Sequence, residues 1–256
     1  MLKKPLLIKV SLCCIGFLTF VFALNAIGGP YLNAAFSKEA SVVSQPKQKV
    51  MYLTFDDGPS KNTPEVLKIL KKYKIHATFF VTGAEPDYAS YIQQAYKEGN
   101  AIGIHTYSHE YHEIYQSESA YVEDLRKTSD LILEQTGHKT NLFRFPGGSS
   151  NTVSRRYSPG IITALAKKLT ACGYQYYDWN ASNGDGNPSL DSGTLVNQAL
   201  RETKGLDKVM MLMHDGTGNH ATVEALPTLI EAFQKQGYTF EIIQNGTDGF
   251  HHHIAN

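Results

Sequence analysis

Cysteine is nearly absent from this chain. Of its three cysteines, Cys13 and Cys14 lie in an apolar N-terminal segment and only Cys172 in the body, which excludes a disulfide-stapled scaffold. A domain of this size does not need one, since its core can carry its stability, and Cys172 is expected as a small core residue. An excess of charge of either sign is also missing. The 24 Lys and Arg residues balance 24 Asp and Glu residues, so no global field favours nucleic acid or another polyanion. Neither internal repeats nor low-complexity tracts occur. What remains, 256 residues of which 42% are hydrophobic and 19% charged, is ordinary globular composition with length for one large domain.

Only one long apolar run is present, Val10 to Ile27, 18 residues without a charge behind Lys3, Lys4 and Lys9. A cationic flank before such a run reads as an export signal, and the length admits both a cleaved signal peptide and a single-pass signal anchor. The positive flank would keep Met1 to Lys9 inside and send the rest to the outer face of the membrane or, after cleavage, to the cell wall. The expected organisation is a signal or anchor at 1–28, a linker of small, polar and Pro residues at 29–48, a domain at 49–245 and a tail at 246–256.

From Val50 onward short apolar stretches alternate with amphipathic ones. Strands are expected at Val50–Phe55, Ala77–Val81, Ala101–His105, Leu142–Phe145, Gln175–Asp178, Val209–His214 and Tyr238–Ile242. Helices are expected between them at Thr63–Lys74, Ala89–Glu98, Ser119–Thr136, Gly160–Ala171, Thr194–Glu202 and Val223–Gln236. Repeated βα units imply an α/β fold with a parallel sheet and outer helices. About seven units fit a closed, distorted (β/α) barrel better than an open sheet. The longest loops, 147–159 and 181–192, follow strands, where such folds gather their active sites.

The first strand ends in Asp56-Asp57-Gly58-Pro59. Such a sequence can simply turn the chain, but two adjacent carboxylates repel, and a nearby cation would relieve them. His105 and His109 stand four apart, a spacing that on a helical turn points both imidazoles to one side. They follow a strand expected to run parallel to the first, so both sets share one side of the sheet. Two imidazoles and a carboxylate make a metal site with open positions. Other strand ends add Arg144, Trp179 with Asp178 and Asp185 nearby, and His214-Asp215.

Five ordered motifs, Thr54 to Pro59, His105 to His109, Arg144 to Gly147, Trp179 to Asp185 and Leu212 to Asp215, carry a resemblance to the polysaccharide deacetylases with a NodB-homology domain, carbohydrate esterase family four. The resemblance covers nearly all of Val50 to Ile243 and implies a distorted barrel acting on N-acetylglucosamine in peptidoglycan or chitin-like chains. It implies that Asp57, His105 and His109 hold a divalent metal, Zn2+ or another such as Co2+. It further implies Asp56 as general base, oriented by Arg144, and His214 as general acid, with Asp185, in preference to Asp178, as the acid that supports His214 or Arg144. The main-chain N–H of Gly147 would meet the oxyanion, and Trp179 and Leu212 would line a slot for the acetyl methyl group. Many relatives carry Tyr at position 147, so a side-chain wall of the sugar groove is expected to be lost. His112 is expected at the surface or behind the ligands, the tyrosines Tyr174, Tyr176 and Tyr177 as core and groove wall, and His251, His252 and His253 as a solvated tail. The expected activity is N-deacetylation of a cell-wall glycan. The alternatives are an O-acetyl esterase on acetylated xylan and a non-catalytic glycan-binding protein.

Overall fold

A strand covered on both faces must be apolar along its length, and Lys49–Asp56 (β1) meets that demand, with its last six residues all buried. Strands of this kind sit in the middle of parallel sheets clothed by helices. The computed structural model describes residues 48–255 and builds such a sheet around β1. In chain order follow α1 (Thr63–Tyr73), β2 (Thr78–Val81), α2 (Ser90–Lys97), β3 (Ala101–Ile104), α3 (Tyr111–Ile114), α4 (Glu118–Thr136) and β4 (Leu142–Phe143). Then come α5 (Ile161–Ala171), β5 (Gln175–Tyr176), β6 (Ala181–Ser182), α6 (Ser192–Glu202), β7 (Lys208–His214), α7 (His220–Lys235) and β8 (Tyr238–Phe240).

The sheet order is β5-β4-β3-β2-β1-β7-β6, and β8 pairs with β1 off that path. Every pairing is parallel. Strand β7 runs beside β1 from Val50 to Asp56, whereas β8 meets only Lys49 to Met51 and β2 only Thr54 to Asp56.

Side-chain alternation divides the core in two. Met51, Leu53 and Phe55 of β1 face the helices, in the large cluster with Val66, Leu67, Leu226 and Ile230. Tyr52 points the other way and packs with Phe80, Leu142, Tyr177, Met210 and Ile243. Leu142 and Met210 belong to strands four positions apart in the sheet, so they can meet only because the sheet curls. The curl is an open one. No ladder joins β5 to β6 among the described residues, and the seam between them is crossed by the C-terminal segment, where Asp178 N donates to Phe250 O at 2.9 Å.

The expected elements are present, with β1 and β7 longer than expected and the other expected strands shorter. Arg144 adds a single hydrogen bond beyond β4, to Ile104 O at 2.9 Å, before the chain turns at Pro146-Gly147. The two-residue β6 lies inside a stretch expected to be loop. Cys172 is exposed rather than in the core, because α5 ends at Ala171 and the chain turns at Gly173, with φ +87°, away from the Leu165, Ala166 and Leu169 face. The expected signal or anchor at 1–28 and nearly all of the linker lie outside the described residues. Among the described residues no helix is long and apolar enough to cross a membrane.

Gly103 on β3 shows how tightly the curl is packed. A Cβ there would lie 2.6 Å from the Phe80 ring and 3.3 Å from Leu142 O. Overpacking of that kind costs about 1–3 kcal/mol, so Gly103→Ala is expected to lower the unfolding free energy by that amount, read as a lower urea midpoint at unchanged slope.

Candidate metal centre and active site

The same alternation that sends Tyr52 inward sends Thr54 and Asp56 inward after it. Asp56 lies opposite His214 on β7 and Phe80 on β2, which places it in the top layer of the curled sheet. Arg144 reaches that layer from the end of β4, fully buried. Its Nη1 donates to Asp56 Oδ1 at 2.8 Å and to Thr54 Oγ1 at 2.7 Å, its Nε to Tyr177 O at 2.8 Å and its Nη2 to Asp178 O at 3.1 Å. The guanidinium lies 4.3 Å from the centre of the Phe80 ring. One oxygen of Asp56 is therefore committed to Arg144. The other, Oδ2, stands 3.7 Å from His105 Nε2.

Asp57 leaves the strand with φ +73°, a left-handed conformation that Asp tolerates better than most residues. That turn separates the two acids. Asp57 Oδ1 lies 3.4 Å from His105 Nε2 and 3.3 Å from His109 Nε2, and it is buried without a hydrogen-bond partner. Burial pushes the Asp57 carboxyl up, but the imidazoles of His105, His109 and His214 outweigh it and hold the group well below the usual carboxylate range. Burial, and then the neighbouring His105, push His109 the opposite way from a protonated imidazole, below its ordinary value. An ionised carboxylate facing two imidazoles is a donor set suited to a divalent cation. The three ligating atoms lie within 4.8 Å of one another. His105 Nδ1 is 3.0 Å from Arg144 O, and since a carbonyl only accepts, the hydrogen sits on Nδ1 and the Nε2 lone pair faces Asp57.

The histidine segment is not the helical turn that its spacing suggested. Residues 105–110 form a loop with Thr106 at φ +106° and His109 at φ +58°, and this strained path brings the rings to 5.1 Å. A residue not singled out from sequence holds the loop. Asp124, buried on α4, accepts from Tyr107 N at 2.5 Å and Ser108 N at 3.1 Å. An acid on the same helical stripe as Tyr121, Leu125 and Thr128 was the available signal.

On the opposite side, His214 Nδ1 is 2.7 Å from Asp185 Oδ1, and Asp185 Oδ2 accepts from His214 N and Thr222 Oγ1, each at 2.7 Å. Burial works against a charged imidazole, but the bond to Asp185 and the charges of Asp57 and Asp56 prevail and push His214 up to about 9. Asp178 has other duties. Its carboxylate accepts from Ser149 N at 2.8 Å, Ser149 Oγ at 2.5 Å and His252 N at 2.8 Å. Asp215 is buried and clamps the acidic turn, accepting from Thr63 Oγ1 at 2.5 Å; burial raises it to about 7. It leaves no space beside Gly58, where a Cβ would fall 2.3 Å from Asp215 Oδ1.

Gly147 and Gly148 both need to be glycine, with φ +75° and +77°. A Cβ on Gly148 would strike the Trp179 ring at 2.9 Å. Pro146 O is taken by Tyr115 Oη at 2.9 Å and Asn151 Nδ2 at 2.8 Å, while the Gly147 N–H makes no main-chain bond among the described residues. Leu212 is buried opposite Thr54, and Trp179 is half-buried. His112 is exposed. Tyr177 is buried in the inner cluster, and Tyr174 and Tyr176 pack against the outer one.

The expected tail is partly structural. His251 and His253 are exposed, but His252 is half-buried. Its Nε2 donates to Trp179 O at 2.7 Å, its Nδ1 is 3.1 Å from Ser150 Oγ, and its ring stands edge-on to Trp179 at 4.8 Å. Trp179 is the single tryptophan, so tryptophan emission reports the surroundings of this one ring. His252→Ala is expected to red-shift that emission and to cost about 1–3 kcal/mol, the range for leaving a buried polar partner unpaired; an unmoved spectrum would show that His252 does not hold the ring.

Comparison with known proteins points the same way as the geometry. Residues 44–159 match the model of the polysaccharide deacetylase family. A peptidoglycan-N-acetylglucosamine deacetylase of Bacillus cereus is 34% identical over 204 residues, 75% of this chain and 85% of that protein. The peptidoglycan-N-acetylmuramic acid deacetylase PdaA of Bacillus subtilis is 29% identical over 85% of this chain and 79% of its own length. Among solved structures, the catalytic domain of a peptidoglycan N-acetylglucosamine deacetylase from Eubacterium rectale superposes with a TM-score of 0.80 at 41% identity, covering 83% of this chain and 96% of that one. By its sequence, its curled parallel sheet and the residues gathered at the carboxyl ends of its strands, this chain belongs to the polysaccharide deacetylase family.

Proposed function

We propose that the protein is a metal-dependent hydrolase that removes N-acetyl groups from N-acetylglucosamine units of a cell-wall polysaccharide, peptidoglycan or chitin-like. The observation that carries this reading is the unequal fate of the two acids, with Asp57 turned toward the Nε2 atoms of two imidazoles and Asp56 held by Arg144. Asp57, His105 and His109 would hold the cation. When bound, zinc or cobalt would supply Lewis acidity toward an acetamide carbonyl and toward water.

The chain's own groups do the rest. Asp56 accepts the proton of the attacking water at Oδ2, because Oδ1 is occupied by Arg144. The unpaired Gly147 N–H faces the developing oxyanion. His214 keeps its Nδ1 proton on Asp185 and delivers the Nε2 proton to the departing amine, without which an amide nitrogen leaves poorly. Trp179 and Leu212 bound a small apolar slot that suits an acetyl group. The N-terminal apolar run would put this domain on the outer face of the membrane or in the wall, where such a glycan lies; fractionation of tagged full-length protein tests that placement.

Acetate release from N-acetylglucosamine oligomers, compared with acetylated xylan, tests the activity. Turnover of the oligomers is expected, and activity confined to xylan would replace the amide reading with an ester one. Zinc content and activity should vanish together on chelation and return together on zinc addition. Asp56→Asn is expected to lower kcat by about 10²–10⁴-fold while zinc stays bound; near-normal turnover would remove Asp56 as base. His214 acts as an acid only while protonated, so activity should fall as pH rises through its pKa. Asp185→Asn removes the group that raises that pKa and leaves the burial that lowers it. The alkaline limb of kcat should therefore move to lower pH, and an unmoved limb would dissociate Asp185 from the acid.

A further inference from the structure

Position 147 carries no side chain, yet the space beside it is filled. A Cβ on Gly147 would lie 2.7 Å from Tyr111 Oη and 3.0 Å from Asn151 Nδ2. Asn151 is fully engaged: Nδ2 donates to Pro146 O at 2.8 Å, and Oδ1 accepts from Val153 N at 2.6 Å and Ser154 N at 3.3 Å. Tyr111 is not. Its hydroxyl has no hydrogen-bond partner among the described residues, although the residue is half-buried.

The ring is nevertheless fixed. Tyr111 opens α3, two residues after His109, and its ring centre lies 5.7 Å from that imidazole. On its other side Tyr115 stands edge-on at 5.4 Å, and Tyr115 is itself anchored through Oη to Pro146 O at 2.9 Å. A phenol held between a metal-ligand loop and the turn that bears the free Gly147 N–H is a placed donor without a partner. The hydroxyl is not one of the buried unpartnered atoms, so it stays open to water, which a ligand oxygen can replace.

We propose that Tyr111 is a specificity-determining residue whose hydroxyl hydrogen-bonds an oxygen of the hexosamine whose acetamido group lies at Gly147. The wall expected to be lost with the side chain at 147 is thus supplied from the histidine loop. This inference rests on the deacetylase reading above, and it concerns the sugar rather than the reacting carbonyl.

Tyr111→Phe keeps the ring and removes the donor. With the tetramer of N-acetylglucosamine as substrate, KM should rise about three- to tenfold, the worth of one neutral hydrogen bond, with kcat within about twofold. The ratio of kcat/KM on the tetramer to kcat/KM on para-nitrophenyl acetate, an acetyl ester without a sugar, should fall by the same factor. Calorimetry gives a readout that does not depend on turnover: the tetramer should bind the Asp56→Asn protein more tightly than the Asp56→Asn, Tyr111→Phe protein. Equal losses on tetramer and ester, a fall in kcat with KM unmoved, or equal binding by the two Asp56→Asn proteins would each overturn the proposal. Wild-type protein that turns over acetylated xylan but not the tetramer fails the amide reading alone, and the same comparison is then made with xylan, where an unchanged KM again overturns it.

Discussion

The buried contact between Arg144 and Asp56 is the interaction on which the site depends. A guanidinium without access to water is tolerable only when every donor is met, and Arg144 meets this demand by reaching Asp56 and Thr54 on β1 and the carbonyls of Tyr177 and Asp178. Those partners lie on β1 and just beyond β5, strands four positions apart in the sheet. A flat sheet could not bring β4 and β1 side chains into contact across two intervening strands, so the ion pair and the curl require one another. Breaking one partner of such a pair costs about 3–5 kcal/mol, which makes the position of Asp56, the proposed base, a property of the fold rather than of a loop.

Around that fixed centre the chain accepts local strain. Among the described residues, three of the four non-glycine residues with positive φ, Asp57, Thr106 and His109, belong to the turns of the candidate metal site. Such conformations persist only where the surroundings over-determine them, and the restraints are visible: Asp215 behind the acidic turn, Asp124 behind the histidine loop, Asp178 behind the glycine turn. Three buried carboxylates thus hold main-chain or hydroxyl donors of the segments that carry the chemistry.

Much of this was legible from the sequence, for an identifiable reason. Parallel strands present their carboxyl ends on one side, so Asp56, His105, Arg144 and His214 could be assigned to a common region once each was seen to end a strand. The same reasoning could not see residues that act across long separations from unremarkable positions. Asp124 reads as one more polar residue of a helix, and His252 as part of a histidine tail, because only the folded chain shows what lies opposite. The i, i+4 spacing of the histidines pointed to the right pair through the wrong geometry: the rings converge by a left-handed loop, not by a helical turn. Gly147 suggested an open groove, since a missing side chain says nothing about a tyrosine 36 positions earlier.

The hydrogen bond between His105 Nδ1 and Arg144 O gives the centre a particular kind of permanence. The acceptor is peptide backbone, so no amino-acid replacement at position 144 deletes it. The tautomer of His105 is tied instead to the pairing of Arg144 N with Ile104 O. Point mutation can erode the charge beside the base, but the imidazole's readiness to ligate is inherited from strand register and drifts only if the sheet itself slips.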